Sequence, residues 1–298
     1  SYGEGLLTAI DEALHIGRAA QIPVHIAHIK ALGKAFWGQS ADIITAIENA
    51  RQEGVDVTAN QYPWLASGTR MSSALIPRWV MADSKEHMIE RLSNAETGPE
   101  IRIAMQRNLE LRGGPDAMLV TNTSSEYAGM TLTSIARQLE LDPVEAAIRV
   151  VTGGDPSIAS FVMNQDDVDR LAIQPWVMTG SDGSAGHPRL FATYPKAWRD
   201  LVVDRKLLSI PQFIHRSSGL VADTLRLCER GYLRAGYFAD IAILDPDRFL
   251  PQADYERATE FATGVDTLIV NGIIILDPGL QPVLPGRILR KNPQGCSP

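Results

Sequence analysis

The segment IPVHIAHIK, residues 22–30, indicates the fold class, because it is a short run of β-branched residues between two helical patterns. Before it, apolar residues recur near helical spacing through residues 1–20. After it, SADIITAIENARQEG at residues 40–54 has similar spacing and ends on a glycine. VDVTANQYPW, residues 55–64, then has the pattern of a second strand. Helix and strand alternate with about thirty residues per unit, which predicts an α/β fold with a parallel sheet, as a barrel or a doubly wound sheet.

The composition of the chain excludes several classes of protein. Its 298 residues carry 28 basic and 35 acidic side chains, a net charge of −7, and 45% of them are hydrophobic. These proportions exclude a disordered or fibrous chain, and the acidic balance argues against a nucleic-acid partner. No stretch reaches the roughly 18 consecutive apolar residues of a membrane span, and no signal peptide is recognisable. We therefore expect no membrane partner and a cytoplasmic location.

The remaining sequence falls into two parts with different secondary-structure patterns. Helical and strand patterns continue up to about residue 229, and Asp142 before Pro143 has the pattern of a helix start. From residue 230 onwards, short β runs are broken by Gly, Asp and Pro without a helix between them. We predict an α/β part at residues 1–229 and a small β subdomain at residues 230–298. In the first part, helices are predicted within residues 77–92, 98–110, 130–154, 164–174 and 209–225, and strands within residues 117–123, 159–165 and 174–180.

The first candidate site lies at the end of the strand in residues 22–30. Side chains alternate along a strand, so His28 and Lys30 are predicted on one face and His25 on the other. They lie near the carboxyl end of the strand, where parallel barrels build their active sites. The alternative is a histidine buried in the core and a lysine that reaches solvent.

The second candidate site is the loop TGSDG, residues 179–183, which follows an apolar strand. It places the Asp182 carboxylate at the carboxyl end of that strand, poised to act as a base or a metal ligand. Arg189 follows shortly after, and its planar guanidinium is suited to bind a carboxylate. The alternatives are a turn aspartate, because Asp-Gly is common in turns, and a surface ion pair for Arg189.

Six characteristic segments follow one another along the chain. They are VHIAHIKALGKAFWGQS at 24–40, DVTANQYPW at 56–64, VMTGSDGSAGHPR at 177–189, RGYLRAGYFADIAILDPDRF at 230–249, VNG at 270–272 and PGRILR at 285–290. In this order they resemble the N-acyl-D-amino-acid deacylases, or D-aminoacylases, of the metal-dependent amidohydrolase superfamily. The resemblance covers nearly the whole chain, and the order of the segments is more specific than any one motif. It implies a (β/α)₈ TIM-like barrel followed by a small β domain, of which this chain is the C-terminal portion.

The resemblance also implies an activity and a role for each site residue. The activity is the zinc-dependent hydrolysis of the amide bond of N-acyl-D-amino acids, which releases a D-amino acid and a carboxylate. His28 resembles a zinc ligand, and Lys30 on the same motif resembles a substrate-binding residue. Asp182 resembles the metal-binding carboxylate that takes a proton from the attacking water, and Arg189 resembles the group that holds the α-carboxylate of the substrate.

The chain departs from the family pattern in its metal ligands. Family members carry an H-x-H motif on the first barrel strand, a bridging cysteine soon after, and a histidine on the fifth strand, and none of these occurs here. His28 and Asp182 alone do not make a closed zinc site. We therefore expect an upstream fragment or chain that completes the barrel and supplies the remaining ligands of one or two zinc ions. Half a barrel would leave strand edges and apolar faces open.

Other hypotheses remain open. The chain could belong to a different amidohydrolase, such as a cyclic-imide or dihydroorotase-like enzyme, or it could be a non-catalytic half-subunit without a complete metal site. A third hypothesis is a hydrolase that uses Ser1 as its nucleophile, although residues 1–20 have a helical pattern. Residues 60–64 differ from relatives, which often carry Asp and Tyr where Asn60 and Trp64 stand, and we interpret this segment as packing near the pocket.

Overall fold

The computed structural model describes residues 3–276 and 283–292, so Ser1 and the end of the predicted β subdomain lie outside the described residues. The helices are α1 Leu6–Ala20, α2 Ser40–Gln52, α3 Met71–Leu75, α4 Lys85–Ser93, α5 Gly98–Leu111, α6 Leu132–Leu139, α7 Pro143–Gly153, α8 Gln165–Ala172, α9 Arg189–Ala197, α10 Ile210–Ser217 and α11 Gly219–Leu225. The strands are β1 Val24–Ile26, β2 Val57–Gln61, β3 Ala66–Arg70, β4 Met118–Val120, β5 Ser157–Phe161, β6 Val177–Thr179, β7 Ile241–Leu244, β8 Val265–Val270 and β9 Ile273–Leu276.

A parallel sheet in the order β1-β2-β6 is the centre of the α/β part. Helices α1 and α2 cover it, because each presents one apolar face at helical spacing, as the sequence predicts. Leu14 and Ile43 are buried against Val57 and Val177 of the sheet. The α/β class is therefore confirmed, while the described residues form an open parallel sheet and not a closed barrel.

A large insertion, residues 62–176, separates β2 from β6. It holds helices α3 to α7 beside an antiparallel sheet in the order β3-β5-β4, and helix α8, which packs against α2. The predicted cap of α7 is confirmed, because the Asp142 carboxylate accepts hydrogen bonds from the backbone of Val144 and Glu145. The helix predicted after Pro77 is present as α4 but begins later than expected, at Lys85 behind its Ser84 cap, and the shorter α3 before it ends at Leu75.

The predicted short strands after residue 230 are confirmed in the part of the chain that is described. Strands β7, β8 and β9 form an antiparallel sheet, with no helix between them. Trp198, in the π-helical turn Trp198–Asp204 after α9, donates a hydrogen bond to the Pro246 carbonyl and joins this sheet to the α/β part. None of the helices in the described residues has the length and hydrophobicity of a membrane-spanning helix.

Candidate functional site

Two loops at one edge of the parallel sheet carry the predicted site residues. Strands β1 and β6 both flank β2 in parallel, so the residues that follow them emerge at the same edge. His28, Lys30 and Asp182 line one pocket of about 620 Å³. Sequence reasoning thus identified side chains that the fold brings together from positions more than 150 residues apart.

The predicted alternation of His28 and Lys30 along a strand is wrong. Strand β1 ends at Ile26, and His28 lies in a turn with a φ of 41°. Lys30 nevertheless contacts His28: its Nζ donates to the His28 carbonyl at 2.7 Å and lies 3.0 Å from the imidazole Nδ1. Asp182 also has a positive φ, 44°. Left-handed backbone is uncommon for residues other than glycine, and it concentrates at functional sites.

Asn60 fixes the turn at His28, a role that sequence reasoning missed. Its Oδ1 accepts a hydrogen bond of 2.6 Å from the His28 backbone, and its Nδ2 lies 2.9 Å from His25 Nε2. The other imidazole nitrogen of His25 lies 2.8 Å from the Thr58 hydroxyl. An amide can donate to an imidazole and accept from a backbone N–H at once, whereas a carboxylate can only accept. The departure from the Asp of relatives was therefore a signal that residue 60 belongs to the site.

Arg189 lies behind the pocket wall and is only 2% exposed. Its Nη1 lies 2.9 Å from Asp182 Oδ2, and its guanidinium stacks on the Tyr62 ring with 4.7 Å between Cζ and the ring centroid. Nη2 donates to the Ser184 hydroxyl. Neither Nε nor Nη1 makes an aligned hydrogen bond with the described residues. A buried guanidinium with donors to spare favours an additional acceptor.

His187 holds the backbone of Arg189 in place. Its Nδ1 accepts a hydrogen bond from the Arg189 backbone, and its Nε2 lies 3.2 Å from the Ala66 carbonyl of β3. Burial lowers the pKa of His187 to about 3, so this imidazole is neutral, with Nδ1 as acceptor and Nε2 as donor. It joins the loop of Asp182 to the inserted antiparallel sheet.

The cationic groups of the site are largely removed from water. Burial lowers the pKa of Lys30 to about 7, although the Asp182 carboxylate opposes this shift. Burial and the neighbouring Lys30 lower the pKa of His28 as well. The buried Arg189 guanidinium and the buried Lys30 ammonium lie near a single carboxylate, so an anionic ligand would stabilise their charged forms.

Gly68 of β3 leaves the space in which the Arg189 guanidinium lies. A Cβ at this position would lie 2.8 Å from Arg189 Nη2 and 2.9 Å from the Ser184 hydroxyl. Gly68 itself lines the pocket, so the guanidinium approaches the pocket where β3 has no side chain. Strand β3 was missed in the sequence because its residues are small and lack an alternating apolar pattern.

The described residues contain no group of three or more His, Cys, Asp or Glu side chains that could hold a metal ion. A zinc site needs three or four protein ligands, and His28 and Asp182 can supply only two. Zinc therefore does not fit the described residues alone.

No protein-family model matches the chain. The chain is 28% identical over 294 residues to the N-acyl-D-glutamate deacylase of Alcaligenes xylosoxydans xylosoxydans, covering 97% of this chain and 53% of that protein. The solved N-acyl-D-glutamate deacylase from Bordetella bronchiseptica, complexed with zinc and a phosphonate inhibitor, has a TM-score of 0.79 at 27% identity. The solved structure of a D-aminoacylase, which represents a subset of the amidohydrolases, has a TM-score of 0.76 at 26% identity. Each of these two matches covers 97% of this chain and 54% of the solved chain.

The α/β fold of this chain thus resembles that of solved deacylases, one of which represents a subset of the amidohydrolases. The resemblance expected from the sequence is confirmed: the chain is a homologue of the N-acyl-D-amino-acid deacylases over nearly its whole length. It spans about half the length of the relatives that it matches.

Proposed function

We propose that this chain supplies the substrate-binding and proton-transfer side of a zinc-dependent N-acyl-D-amino-acid deacylase. The observation that carries the proposal is the convergence of His28, Lys30, Asp182 and Arg189 at one edge of the parallel sheet. The deacylase names of the homologues support it.

Each side chain has a role in amide hydrolysis under this proposal. Water adds to the carbonyl carbon of the acyl group and gives a proton to the Asp182 carboxylate, which passes it to the leaving amine as the C–N bond breaks. Lys30 and Arg189 hold the α-carboxylate, which lies one carbon from the scissile nitrogen. The Arg189 donors that lack aligned partners in the described residues favour this role.

We propose further that residues outside this chain complete the barrel and the zinc site. The outward edges of β1 and β6 pair with no other strand among the described residues, and open edges favour further strands. His28 and Asp182 would then contribute two ligands to a site for one or two zinc ions. Residues 1–229 would form the barrel part and residues 230–298 the small β subdomain.

Assembly with an upstream segment is expected to stabilise the chain. Exposed apolar side chains on α9 and α10, such as Leu190, Tyr194 and Ile214, would be covered by it. Native mass spectrometry of the protein purified from its source should show a second polypeptide or a longer chain. Thermal unfolding of this chain alone should be broad. A cooperative monomer with a sharp transition would contradict this prediction.

The activity itself is tested by the release of D-amino acids from a panel of N-acetyl-D-amino acids, with the L-enantiomers as controls. Turnover that depends on zinc and on the D-configuration supports the proposal. Absence of turnover, together with absence of bound zinc in the assembled protein, would instead favour the non-catalytic half-subunit, which the incomplete set of metal ligands also allows.

Gly68→Ala is expected to raise KM for N-acetyl-D-amino acids several-fold, because the new methyl group displaces the Arg189 guanidinium. The matched control is Gly153→Ala, since nothing lies within 4 Å of a Cβ there. Steady-state kinetics of both variants, with melting temperatures to confirm folding, give the comparison. Equal KM values in the two variants would show that the Gly68 gap does not serve substrate binding.

A further inference from the structure

The pocket extends beyond the site residues to the end of helix α5. Its lining runs from Asp182 along β3, past Ser67 and Thr69, to Asn108 and Arg112. Arg112 caps α5, and its backbone N–H bonds to the Asn108 carbonyl. The far end of the pocket is therefore built by the insertion, on well-anchored backbone.

Arg112 is a largely desolvated cation without a carboxylate partner in the described residues. Its Nε donates to the Ala74 carbonyl at 3.0 Å, and its Nη1 lies 3.4 Å from the Ser160 hydroxyl. Burial lowers the pKa of Arg112. A guanidinium held only by neutral acceptors retains a strong preference for an anion, because its charge is not compensated.

Ser67 adds a second polar group at the same place. It lies directly opposite Ser160 in the antiparallel pairing of β3 and β5, so both side chains share the face that Arg112 contacts. Ser67 is only 4% exposed, and its hydroxyl has no hydrogen-bond partner among the described residues. A buried hydroxyl without a partner requires an explanation, and an acceptor bound beside the Arg112 guanidinium would supply one.

We propose that Arg112, with Ser67, forms a subsite for a second carboxylate of the substrate, in addition to its α-carboxylate. This inference rests on the proposed function, which places the scissile amide near Asp182. Strand β3 separates the two cationic regions: Gly68 faces Arg189, and Ser67 faces Arg112. Among the described residues β3 is an edge strand, and a substrate with two carboxylates would pass its unpaired edge with one carboxylate on each side. The second carboxylate can belong to the amino-acid side chain or to the acyl group.

Binding to the full chain without added zinc, where the proposed zinc-dependent cleavage cannot proceed, tests the subsite without requiring turnover. N-acetyl-D-glutamate and N-acetyl-D-glutamine have the same shape and differ in one charge, and they report on the side chain. N-succinyl-D-alanine and its terminal amide report on the acyl group. Isothermal titration calorimetry should show that one charged ligand binds about tenfold to a hundredfold more tightly than its amide, as expected for a charge-assisted contact.

Three variants assign that preference to the subsite. Arg112→Gln should abolish the preference for the charged ligand. The affinity for the amide ligand should stay within about twofold of its original value. Ser67→Ala should reduce the preference several-fold, and this variant should fold even if Arg112→Gln does not, because the Ser67 hydroxyl makes no hydrogen bond with the described residues. Arg137→Gln, which removes an exposed guanidinium from α6, should leave it intact.

The subsite is overturned if neither charged ligand is preferred, if neither binds, or if the preference survives in both Arg112→Gln and Ser67→Ala. The proposed function is judged separately by deacylation of N-acetyl-D-glutamine. Turnover without a charge preference would refute only the subsite. A charge preference that depends on Arg112, without turnover of any N-acyl-D-amino acid, would refute only the deacylase proposal.

Discussion

Asp182→Asn is expected to lower kcat for N-acetyl-D-amino acids by about 10²- to 10⁴-fold, the usual contribution of a proton-transfer group. An amide cannot accept the proton of the attacking water, but its oxygen still carries partial negative charge beside the Arg189 guanidinium, whose Nη1 lies 2.9 Å from Asp182 Oδ2. Asn also tolerates the left-handed backbone that Asp182 adopts. The fold and KM should therefore change little, which steady-state kinetics and thermal unfolding would establish.

Asp83→Asn is the matched control for this experiment. Asp83 also has a positive φ and an arginine partner, with Arg91 Nη2 2.6 Å from its Oδ2, but it precedes α4 and lies outside the pocket lining. Its loss should leave kcat unchanged. If Asp182→Asn retains more than half of the wild-type kcat, Asp182 is a turn residue and the proton-transfer proposal fails.

The sequence was sufficient to predict the fold class and the edge of the sheet at which the site lies. The two helical faces around IPVHIAHIK and the apolar run before Asp182 depend on local periodicity, and parallel strands bring the loops at their carboxyl ends to one edge. The neighbourhood of His28, Lys30 and Asp182 was therefore predictable. The turn at His28 was not, because it depends on a hydrogen bond that the His28 backbone N–H donates to the side chain of the distant Asn60.

The far end of the pocket was beyond sequence reasoning for a related reason. Ser67 and Gly68 are small residues in a strand without apolar alternation, and Arg112 follows an ordinary amphipathic helix. Their place in the pocket is set by the pairing of β3 with β5, which joins residues about ninety positions apart along the chain. No local pattern encodes that pairing, so these residues emerge only from the folded structure.

The structure also changes what can be expected of Arg189. Sequence reasoning placed it as a cation for the α-carboxylate, and it is in addition the ion-pair partner of Asp182. Its removal would therefore weaken two functions at once. The orientation of Asp182 matters for every substrate, whereas a contact with the α-carboxylate matters only for substrates that carry one. A comparison of two substrates separates these contributions.

Arg189→Ala is expected to lower kcat/KM for an N-acetyl-D-amino acid by roughly tenfold to a hundredfold more than for the matching C-terminal amide, since a charge-assisted contact contributes about 1.5–3 kcal/mol. Arg199→Ala is the control, because Arg199 Nη2 has a similar ion pair of 2.9 Å with Asp204 outside the pocket lining. Melting temperatures show whether the cavity left by the buried side chain unfolds the protein. Equal losses on the two substrates would make Arg189 a partner of Asp182 alone and would leave Lys30 as the proposed contact for the α-carboxylate.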